Sequence, residues 1–318
     1  MGSPDGSRGE RRGRVCRQTP PDGGGRGVKW TAVKFFESLP LPLLSFVFEP
    51  LGGLVGRLDK RHRQIALKNL SIAFPDLEEG EKRRIVSRMY RHLGLTVAEI
   101  IKLGTKEGDR LVDEVEFEGL ENILGAWEKG RGVFAVTGHF GNWELMAYAF
   151  GKRVKPIDVV VRPQKDTFLN EYINMKRKLG GNRVIVKFDA AREIIRSLRE
   201  GRIIGVLLDQ DTHRNRGQFV DFFGLKACTL DAIPRISYLT GSPMVPVFAF
   251  REGKLRHRVR FYEPLDPPRE EKETFVRLSL ERMNRMFEKV ISERPDQWLW
   301  VHRRWRTRPE GEEDIYDF

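Results

Sequence analysis

Cysteine is scarce in this sequence, and long hydrophobic runs are missing. Two cysteines among 318 residues, Cys16 and Cys228, provide neither a disulfide framework nor a set of metal ligands, which indicates a reducing compartment and no structural metal. A mean hydropathy of −0.46 excludes a polytopic membrane protein. The N-terminus lacks the apolar core and cleavage site of a secretory signal. The absence of a Gly-rich phosphate-binding motif argues against a nucleotide cofactor.

Acidic residues are fewer than basic residues in this sequence. The chain has 57 lysines and arginines against 45 aspartates and glutamates, which gives a net charge of +12 at pH 7. Such an excess attracts nucleic acid, anionic lipid headgroups or acidic proteins. Nucleic acid is the disfavoured class, because the sequence has no zinc-finger spacing, no aromatic RNA-binding signature and no recognisable recognition helix. An anionic membrane surface and an acidic protein explain the charge equally well.

The N-terminal region consists of two segments of opposite composition. Residues 1–29 are rich in Gly, Arg and Pro and are predicted to form a disordered basic tail. Residues 30–57 are rich in Leu and Phe, but the apolar run Leu39–Phe48 is only ten residues long and contains Pro40 and Pro42. A bilayer-spanning helix needs about twenty apolar residues. We therefore expect a membrane-associated segment that dips into the bilayer, with a buried core segment as the alternative.

Hydrophobic periodicity from residue 58 onward predicts an α/β domain. Residues 58–103 have the pattern of two helices. Further along, short apolar strands alternate with helical segments, and the predicted strands are Glu114–Glu118, Gly132–Thr137, Ile157–Val161, Arg183–Val186, Ile203–Leu208, Met244–Phe250 and Leu255–Tyr262, followed by a long helix at Glu270–Ile291. This alternation predicts a layered mixed β-sheet flanked by helices. Residues 58–308 are expected to form one domain, with an acidic tail at 309–318.

The most informative stretch is residues 133–144, VFAVTGHFGNWE. Its histidine, His139, lies where a buried strand gives way to a helix. The intervening Gly-Asn turn lets the His139 imidazole meet the Glu144 carboxylate, which would fix the tautomer and leave the other ring nitrogen free to take a proton. Unpaired backbone N–H groups near Gly141 and Asn142 suit an oxyanion. A capping or packing role is the alternative for the histidine, and a cap is the alternative for Asn142.

Residues 138–144, GHFGNWE, resemble the His-x4-Glu block of the bacterial late lipid A acyltransferases. These lauroyl and myristoyl transferases are a branch of the lysophospholipid acyltransferase superfamily, whose other members carry His-x4-Asp. The resemblance runs from about residue 30 to residue 305. It implies that His139 is a general base with Glu144 as its partner, and that backbone N–H groups near Gly141 and Asn142 bind the oxyanion.

Three later blocks strengthen this resemblance. Arg162, in an Arg-Pro pair at a strand end, is predicted to bind acceptor phosphate, with a surface ion pair as the alternative. Asp209 and Gln210 follow another apolar strand and match the family's Asp-Gln pair, so they are expected to line the ligand crevice unless Asp209 only forms a turn. The aromatic residues of 217–229 are predicted to pack in the core, with a wall for an acyl chain as the alternative.

Two N-terminal positions also match the family. The segment Asn69–Pro75 is interpreted as a helix end that stops before a proline, and no chemistry is assigned to it. Glu99 stands where the family has an acidic residue, but an exposed helix charge explains it equally well.

The resemblance implies an acyltransferase of EC class 2.3.1 in lipid A and lipopolysaccharide biosynthesis. The implied donor is an acyl carrier protein thioester, and the implied acceptor is a phosphorylated glucosamine disaccharide at the cytoplasmic face of the cell inner membrane. No cofactor or metal is required, and direct transfer is favoured because no Ser or Cys nucleophile elbow is visible. The alternatives are acylation of another glycolipid or lysophospholipid, such as a phosphatidylinositol mannoside, lipid hydrolysis, and a non-catalytic basic membrane-binding protein.

Overall fold

The computed structural model describes residues 24–163, 165–186, 190–267 and 271–318. Most of the predicted disordered tail, residues 1–23, lies outside the described residues. Residues 24–29 instead begin the first helix, α1 (Gly24–Ser38).

Helices make up the N-terminal part of the described chain. They are α1, α2 (Leu41–Leu58), α3 (Lys60–Ala73), α4 (Glu79–Lys102) and α5 (Lys106–Asp113). Pro40 and Pro42 do not interrupt α2, because they stand at its N-cap and in its first turn, where a missing N–H costs no hydrogen bond. Asp59 caps α3 by accepting the N–H of His62 at 3.2 Å. The two helices predicted within residues 58–103 are thus confirmed as α3 and α4.

Helix α2 packs closely against α4, and the residues that the structure describes leave its other face uncovered. A Cβ atom at Gly52 would lie 2.2 Å from the carbonyl oxygen of Tyr90, and one at Gly94 would lie 2.0 Å from that of Phe48, so glycine is required at both positions. Among the described helices, α2 is the one long and apolar enough to cross a membrane by length and composition. Its outer face exposes seven large apolar side chains: Leu43, Phe46, Val47, Leu51, Leu54, Val55 and Leu58.

Strands and helices alternate from residue 116 onward. In chain order they are β1 (Glu116–Glu118), α6 (Leu120–Glu128), β2 (Val133–Thr137), α7 (Trp143–Arg153), β3 (Asp158–Val161), α8 (Thr167–Leu179), β4 (Arg183–Val186), α9 (Ala190–Arg199), β5 (Ile203–Leu207), β6 (Gly217–Phe222), β7 (Leu225–Leu230), α10 (Ala232–Thr240), β8 (Met244–Arg251), β9 (His257–Phe261) and α11 (Lys272–Glu293). Seven strands form one sheet in the order β1-β9-β8-β2-β5-β3-β4. Only β8 and β9 pair antiparallel in it. The predicted mixed sheet is confirmed.

The core lies on both faces of this sheet, as the side chains of β2 illustrate. Phe134 and Val136 belong to one apolar cluster, and Val133 and Ala135 belong to the other. All five residues of β2 are buried. A strand covered on both faces is apolar at successive positions, which is why it is visible in the sequence.

The hairpin of β6 and β7 was not predicted. Its two-residue turn, Phe223–Gly224, has positive φ values of 51° and 74°. Such turns are usually signalled by Asn-Gly or Asp-Gly, and a phenylalanine at the first position conceals the turn. Of the aromatic residues of this segment, Phe222 packs in the core at 1% exposure against Trp298 and Trp305, Phe223 packs partly buried against the same core, and Phe219 is half-buried.

In the acidic segment 309–318, Tyr316 packs against the domain, whereas residues 310–314 are exposed. The side chain of Tyr316 is only 2% exposed. Its hydroxyl oxygen accepts the backbone N–H of Trp305 at 3.2 Å. This anchor brings the C-terminal residues close to the segment that follows α11.

Candidate functional site

Two parallel strands bring His139 and Asp209 together. Thr137 at the end of β2 lies opposite Leu207 at the end of β5, so the residues two positions later leave the sheet side by side. Nδ1 of His139 lies 2.9 Å from Oδ1 of Asp209. The backbone N–H of His139 donates to Oδ2 of the same carboxylate at 2.7 Å.

A tryptophan completes the surroundings of this carboxylate. Nε1 of Trp298 donates to Oδ2 of Asp209 at 2.9 Å. Burial raises the pKa of Asp209, but attraction to His139 and the hydrogen bonds outweigh it and hold the pKa lower, at about 2. Burial likewise lowers the pKa of His139, and the Asp209 carboxylate outweighs it, so that the net pKa lies above its ordinary value. The Asp209 carboxylate therefore stabilises the imidazolium form of His139 more than water would.

The predicted contact between Glu144 and His139 is wrong. The Glu144 carboxylate is bound by Arg177 of α8, whose Nε donates to Oε2 at 2.9 Å and whose Nη2 donates to Oε1 at 2.5 Å. Glu144 is the second residue of α7, and its carboxylate pairs with Arg177 of α8 rather than with the imidazole ring. Its charge still contributes to the raised pKa of His139.

The prediction that the Gly141 backbone N–H binds an oxyanion is wrong, because this N–H already has a partner. It donates to the carbonyl of Gln297 at 2.9 Å. Gly141 has a φ of +59°, and a Cβ there would lie 1.6 Å from the carbonyl oxygen of Ala249. The glycine is thus required by the tight turn between β2 and α7.

Asn142 is a helix cap whose side chain has no exposed surface, so the predicted substrate contact by that side chain is also wrong. Its Oδ1 accepts the N–H of Leu145 at 2.9 Å, and its Nδ2 donates to Oε2 of Glu99 at 2.7 Å. Glu99 itself is fully buried and is bound by Arg251 and His257. An exposed helix charge is therefore the wrong interpretation of Glu99, whose carboxylate holds the cap of α7.

Gln210 and Arg162 are both exposed near the pair. The amide nitrogen of Gln210 lies 3.5 Å from each ring nitrogen of His139. Arg162 follows β3 and lines a cavity of about 810 Å³. Both residues stay predicted substrate contacts.

This cavity is strongly basic. Its charged and titratable lining consists of Arg61, His62, Arg162, Asp211, His213, Arg216, His302, Arg303 and Arg306. The one carboxylate, Asp211, accepts hydrogen bonds from the N–H and hydroxyl of Thr307. Burial lowers the pKa of His302 to about 4, so this imidazole is neutral near pH 7. Only Arg162 of these residues was singled out in the sequence, although the run HRRWRTR at 302–308 is a visible basic cluster.

A second, apolar pocket lies between the sheet and helix α7. Its walls are aliphatic and aromatic side chains that include Ala135, Met146, Phe150, Val159 and Phe261. Its polar lining includes the Glu144–Arg177 ion pair, and Trp143, whose ring lies 5.0 Å from that of His139, also lines it. His139 is not among the lining residues of either cavity, but Trp143 of the apolar pocket contacts its ring, and the charge of His139 acts on His302 of the basic cavity.

Comparison with known proteins gives consistent matches. The sequence profile of bacterial lipid A biosynthesis acyltransferases matches residues 28–307. The lipid A biosynthesis palmitoleoyltransferase of Escherichia coli (strain K12) is 29% identical over 293 residues, which cover 92% of this chain and 93% of that protein. The lauroyltransferase of the same organism is 29% identical over 290 residues, with 90% and 92% covered. A 1-acyl-sn-glycerophosphate acyltransferase from Thermotoga maritima overlaps 85% of this chain and 98% of its own at 18% identity, with a TM-score of 0.39, too low to carry an argument.

The family match spans the N-terminal helices, the sheet and both residues of the His139–Asp209 pair. The family resemblance seen in the His-x4-Glu block is confirmed by this match. The chain belongs to the bacterial lipid A biosynthesis acyltransferases, enzymes that transfer acyl groups other than aminoacyl groups.

Proposed function

We propose that this enzyme moves a fatty acyl group from an acyl carrier protein thioester to a hydroxyl group of a phosphorylated lipid A precursor, with His139 as the general base. The observation that carries the proposal is the contact of His139 Nδ1 with the buried Asp209 carboxylate at 2.9 Å. A carboxylate on Nδ1 selects the tautomer whose Nε2 carries a lone pair. That nitrogen is the one required to accept a proton.

The reaction needs only proton transfer and positioning. Nε2 of His139 takes the proton of the acceptor hydroxyl while the oxygen forms a bond to the thioester carbonyl carbon. The carbon–sulfur bond then breaks, and the leaving thiolate takes the proton back from the imidazolium. Asp209 stabilises the imidazolium in between, as a buried carboxylate does in other acyl-transfer sites. Gln210, exposed beside the ring, is the proposed polar contact to the reacting carbonyl.

Glu144 acts in this proposal by holding Arg177 beside the apolar pocket. The pocket has apolar walls and lies next to Trp143 and His139, so we assign to it the part of the donor's acyl chain nearest the thioester; its volume of about 60 Å³ does not hold a whole long chain. The Arg177 guanidinium, 19% exposed, would lie near the polar end of a bound donor. Glu144 is then a positioning residue rather than the partner of the base.

The acceptor headgroup is assigned to the basic cavity. Five arginines line it, and its single carboxylate is engaged by Thr307, so the cavity carries a net positive charge. Guanidinium groups bind phosphate bidentately and are the preferred donors for it. A phosphorylated acceptor in this cavity would place its hydroxyl near His139.

The test of the proposed function is a transfer assay. Purified enzyme in detergent is incubated with acyl carrier protein thioester, with or without a tetra-acylated, phosphorylated glucosamine disaccharide. Acylated product that forms only with the acceptor supports the proposal. Rapid thioester breakdown without acceptor would instead identify a hydrolase, and transfer to a phosphatidylinositol mannoside alone would identify another glycolipid acyltransferase.

Arg162 provides a test of the acceptor site. Arg162→Ala should weaken use of the phosphorylated acceptor by about 1.5–3 kcal/mol, because a charged hydrogen bond to phosphate is lost. Arg162→Lys should recover little of the loss, since an ammonium group cannot make the bidentate contact. The measurement is kcat/KM with phosphorylated and dephosphorylated acceptors. Arg196→Ala, which removes an exposed arginine of α9 outside the cavity, is the matched control. Equal impairment with both acceptors would make Arg162 structural.

Membrane association is proposed to depend on the outer face of α2. The 18-residue helix is about 27 Å long, slightly shorter than the hydrocarbon core of a bilayer. One side of it is held against α4, so we infer that it lies partly inserted at the cytoplasmic face of the inner membrane. Basic residues in its neighbourhood add attraction to anionic lipid.

Replacing three residues of this face tests the insertion. Phe46, Leu54 and Leu58 are 72%, 48% and 72% exposed, and their spacings of eight and four residues place them along one side. Changing all three to Glu should weaken binding to vesicles of phosphatidylethanolamine and phosphatidylglycerol by about 100-fold or more, because each apolar side chain contributes about 1.5–3 kcal/mol when buried. Flotation of the vesicles measures the bound fraction.

The control for this experiment introduces two glutamates elsewhere on the surface. Leu239→Glu and Leu278→Glu alter residues that are 68% and 47% exposed on α10 and α11. This variant should bind vesicles like the unchanged protein. Release of the unchanged protein by high salt alone would contradict insertion, because screening does not weaken apolar contacts.

A further inference from the structure

Residues 297–302 are hydrogen-bonded to both members of the His139–Asp209 pair. The backbone N–H of Leu299 donates to the carbonyl of His139 at 3.0 Å. The indole N–H of Trp298 donates to the Asp209 carboxylate at 2.9 Å. The position of this segment therefore decides where the imidazole and its carboxylate lie relative to each other.

The other side of the segment is held by Asn69 of α3. Nδ2 of Asn69 donates to the carbonyls of Trp300 and His302, at 2.7 Å and 2.8 Å. Oδ1 of Asn69 accepts the hydroxyl of Tyr316 at 2.5 Å. Both donor hydrogens and one acceptor site of the amide are used, and the residue has no exposed surface.

Helix α3 itself does not need an amide at this position. Asn69 lies within the helix, four residues before its last residue, and an apolar residue would fill the buried site with a better helix propensity. Burying an amide costs free energy unless its hydrogen bonds are satisfied. The carbonyl groups of Trp300 and His302 accept the two hydrogen bonds that the amide donates. Holding these carbonyl groups explains why a polar residue, Asn69, occupies the buried site.

We propose that Asn69 is a positioning residue for the His139–Asp209 pair, and that Tyr316 supports it from the C-terminal segment. The inference rests on the proposed role of His139 as the base. It gives a role to the Asn69–Pro75 segment, to which the sequence analysis assigned no chemistry, and to the acidic segment that follows the family match.

The segment also forms part of the basic cavity, so its displacement should impair acceptor binding as well as the base. Val301, His302 and Arg303 all line it, and Asn69 holds the carbonyl of His302 directly. Displacement of the segment would misplace the acceptor as well as the base. A displacement of about 1 Å in a catalytic site can reduce the rate by about 100-fold.

The experiment compares three variants of the full chain in detergent. Asn69→Ala removes all three hydrogen bonds of the amide. Tyr316→Phe removes one of these, together with the bond from the Trp305 N–H, and keeps the two that Asn69 donates. Asn182→Ala is the matched control, because Asn182 is also buried, at 4% exposure, and its amide is hydrogen-bonded to the carbonyl of Ala147 at 2.9 Å and the N–H of Ile157 at 3.1 Å rather than to the 297–302 segment. Thermal unfolding first defines a temperature at which each variant is folded. At that temperature kcat, both KM values and the pH dependence of kcat/KM are measured.

Asn69→Ala should lower kcat by about 10- to 100-fold, with a smaller loss in Tyr316→Phe. The acidic limb of the pH dependence should move to lower pH in both, because a loosened Asp209 no longer offsets the burial of His139. Asn182→Ala should lower thermal stability without either change. If folded Asn69→Ala behaves like the control in kcat and in pH dependence, the proposal is overturned.

The proposal can also be tested if Asn69→Ala does not fold or if the unchanged protein transfers no acyl group. Should Asn69→Ala fail to fold, Tyr316→Phe with an unchanged kcat and acidic limb would overturn the proposal by itself. An NMR titration of the His139 imidazole in the same variants needs no substrate. If the unchanged protein transfers no acyl group, the proposed function fails, while a His139 titration that shifts in Asn69→Ala but not in Asn182→Ala still supports the positioning.

Discussion

His139→Ala should lower the rate of acyl transfer by about 10²–10⁴-fold, the usual loss when a general base is removed. The reason is that the acceptor hydroxyl must then attack without giving up its proton to Nε2. The measurement is kcat/KM for product formation, with a saturating concentration of acyl carrier protein thioester. The substitution also removes one hydrogen bond from buried Asp209, so the stability of the variant must be determined beside its activity.

His139→Asn separates the chemical loss from the structural one. The amide nitrogen of an asparagine can occupy the position of Nδ1 and keep the hydrogen bond to Asp209, while the atom corresponding to Nε2 is lost. This variant should be more stable than His139→Ala and equally inactive. Near-normal transfer by either folded variant would show that His139 is not the base.

Asp209→Asn should lower kcat/KM by about 10²-fold or more and also move its pH dependence. A neutral amide neither stabilises the imidazolium nor fixes the tautomer that leaves Nε2 free. In the unchanged enzyme Asp209 holds the pKa of His139 above its ordinary value. The base must be neutral to act, so the acidic limb should have its midpoint above the ordinary histidine pKa of about 6.5.

Without the Asp209 carboxylate, burial outweighs the smaller influence of Glu144 on the imidazole and lowers its pKa, so the acidic limb should move to lower pH. The reduced rate at high pH and the shifted midpoint are separate readouts of the same contact. Glu144→Gln is the comparison, because Glu144 is bound to Arg177 and contributes less to the pKa of His139. A larger shift in Glu144→Gln than in Asp209→Asn would contradict the assignment of Asp209 as the partner of the base.

The error over the histidine's partner has a simple physical origin. Glu144 is five positions from His139 in the sequence, whereas Asp209 is 70 positions away. Nearness in sequence suggested a contact, but the register of two parallel strands decides which side chains leave the sheet together. Asp209 was recognised as a residue at a strand end, and its role depended on knowing that β2 and β5 are neighbours.

Similar long-range contacts explain why the predictions for Asn142 and Gly141 were wrong. From its neighbours in the sequence, Asn142 was predicted to contact the substrate, but its amide group donates a hydrogen bond to Glu99 of α4. The N–H of Gly141 is unpaired in an isolated turn, but Gln297 supplies a carbonyl from near the other end of the chain. In both cases a buried polar group found a distant partner, as buried polar groups generally must.

By itself, the sequence determined the mixed α/β fold, the two N-terminal helices after residue 58, the apolar character of residues 30–57 and the place of His139 at a strand end. These features follow from periodicity and composition, which depend on neighbouring residues. The tertiary structure alone decided that Asp209 holds the imidazole, that Arg177 takes Glu144, and that one face of α2 is left uncovered. It also placed Asn69 beneath the 297–302 segment. These are contacts between residues distant in sequence, and they exist only once strand order, register and helix packing have brought the side chains together.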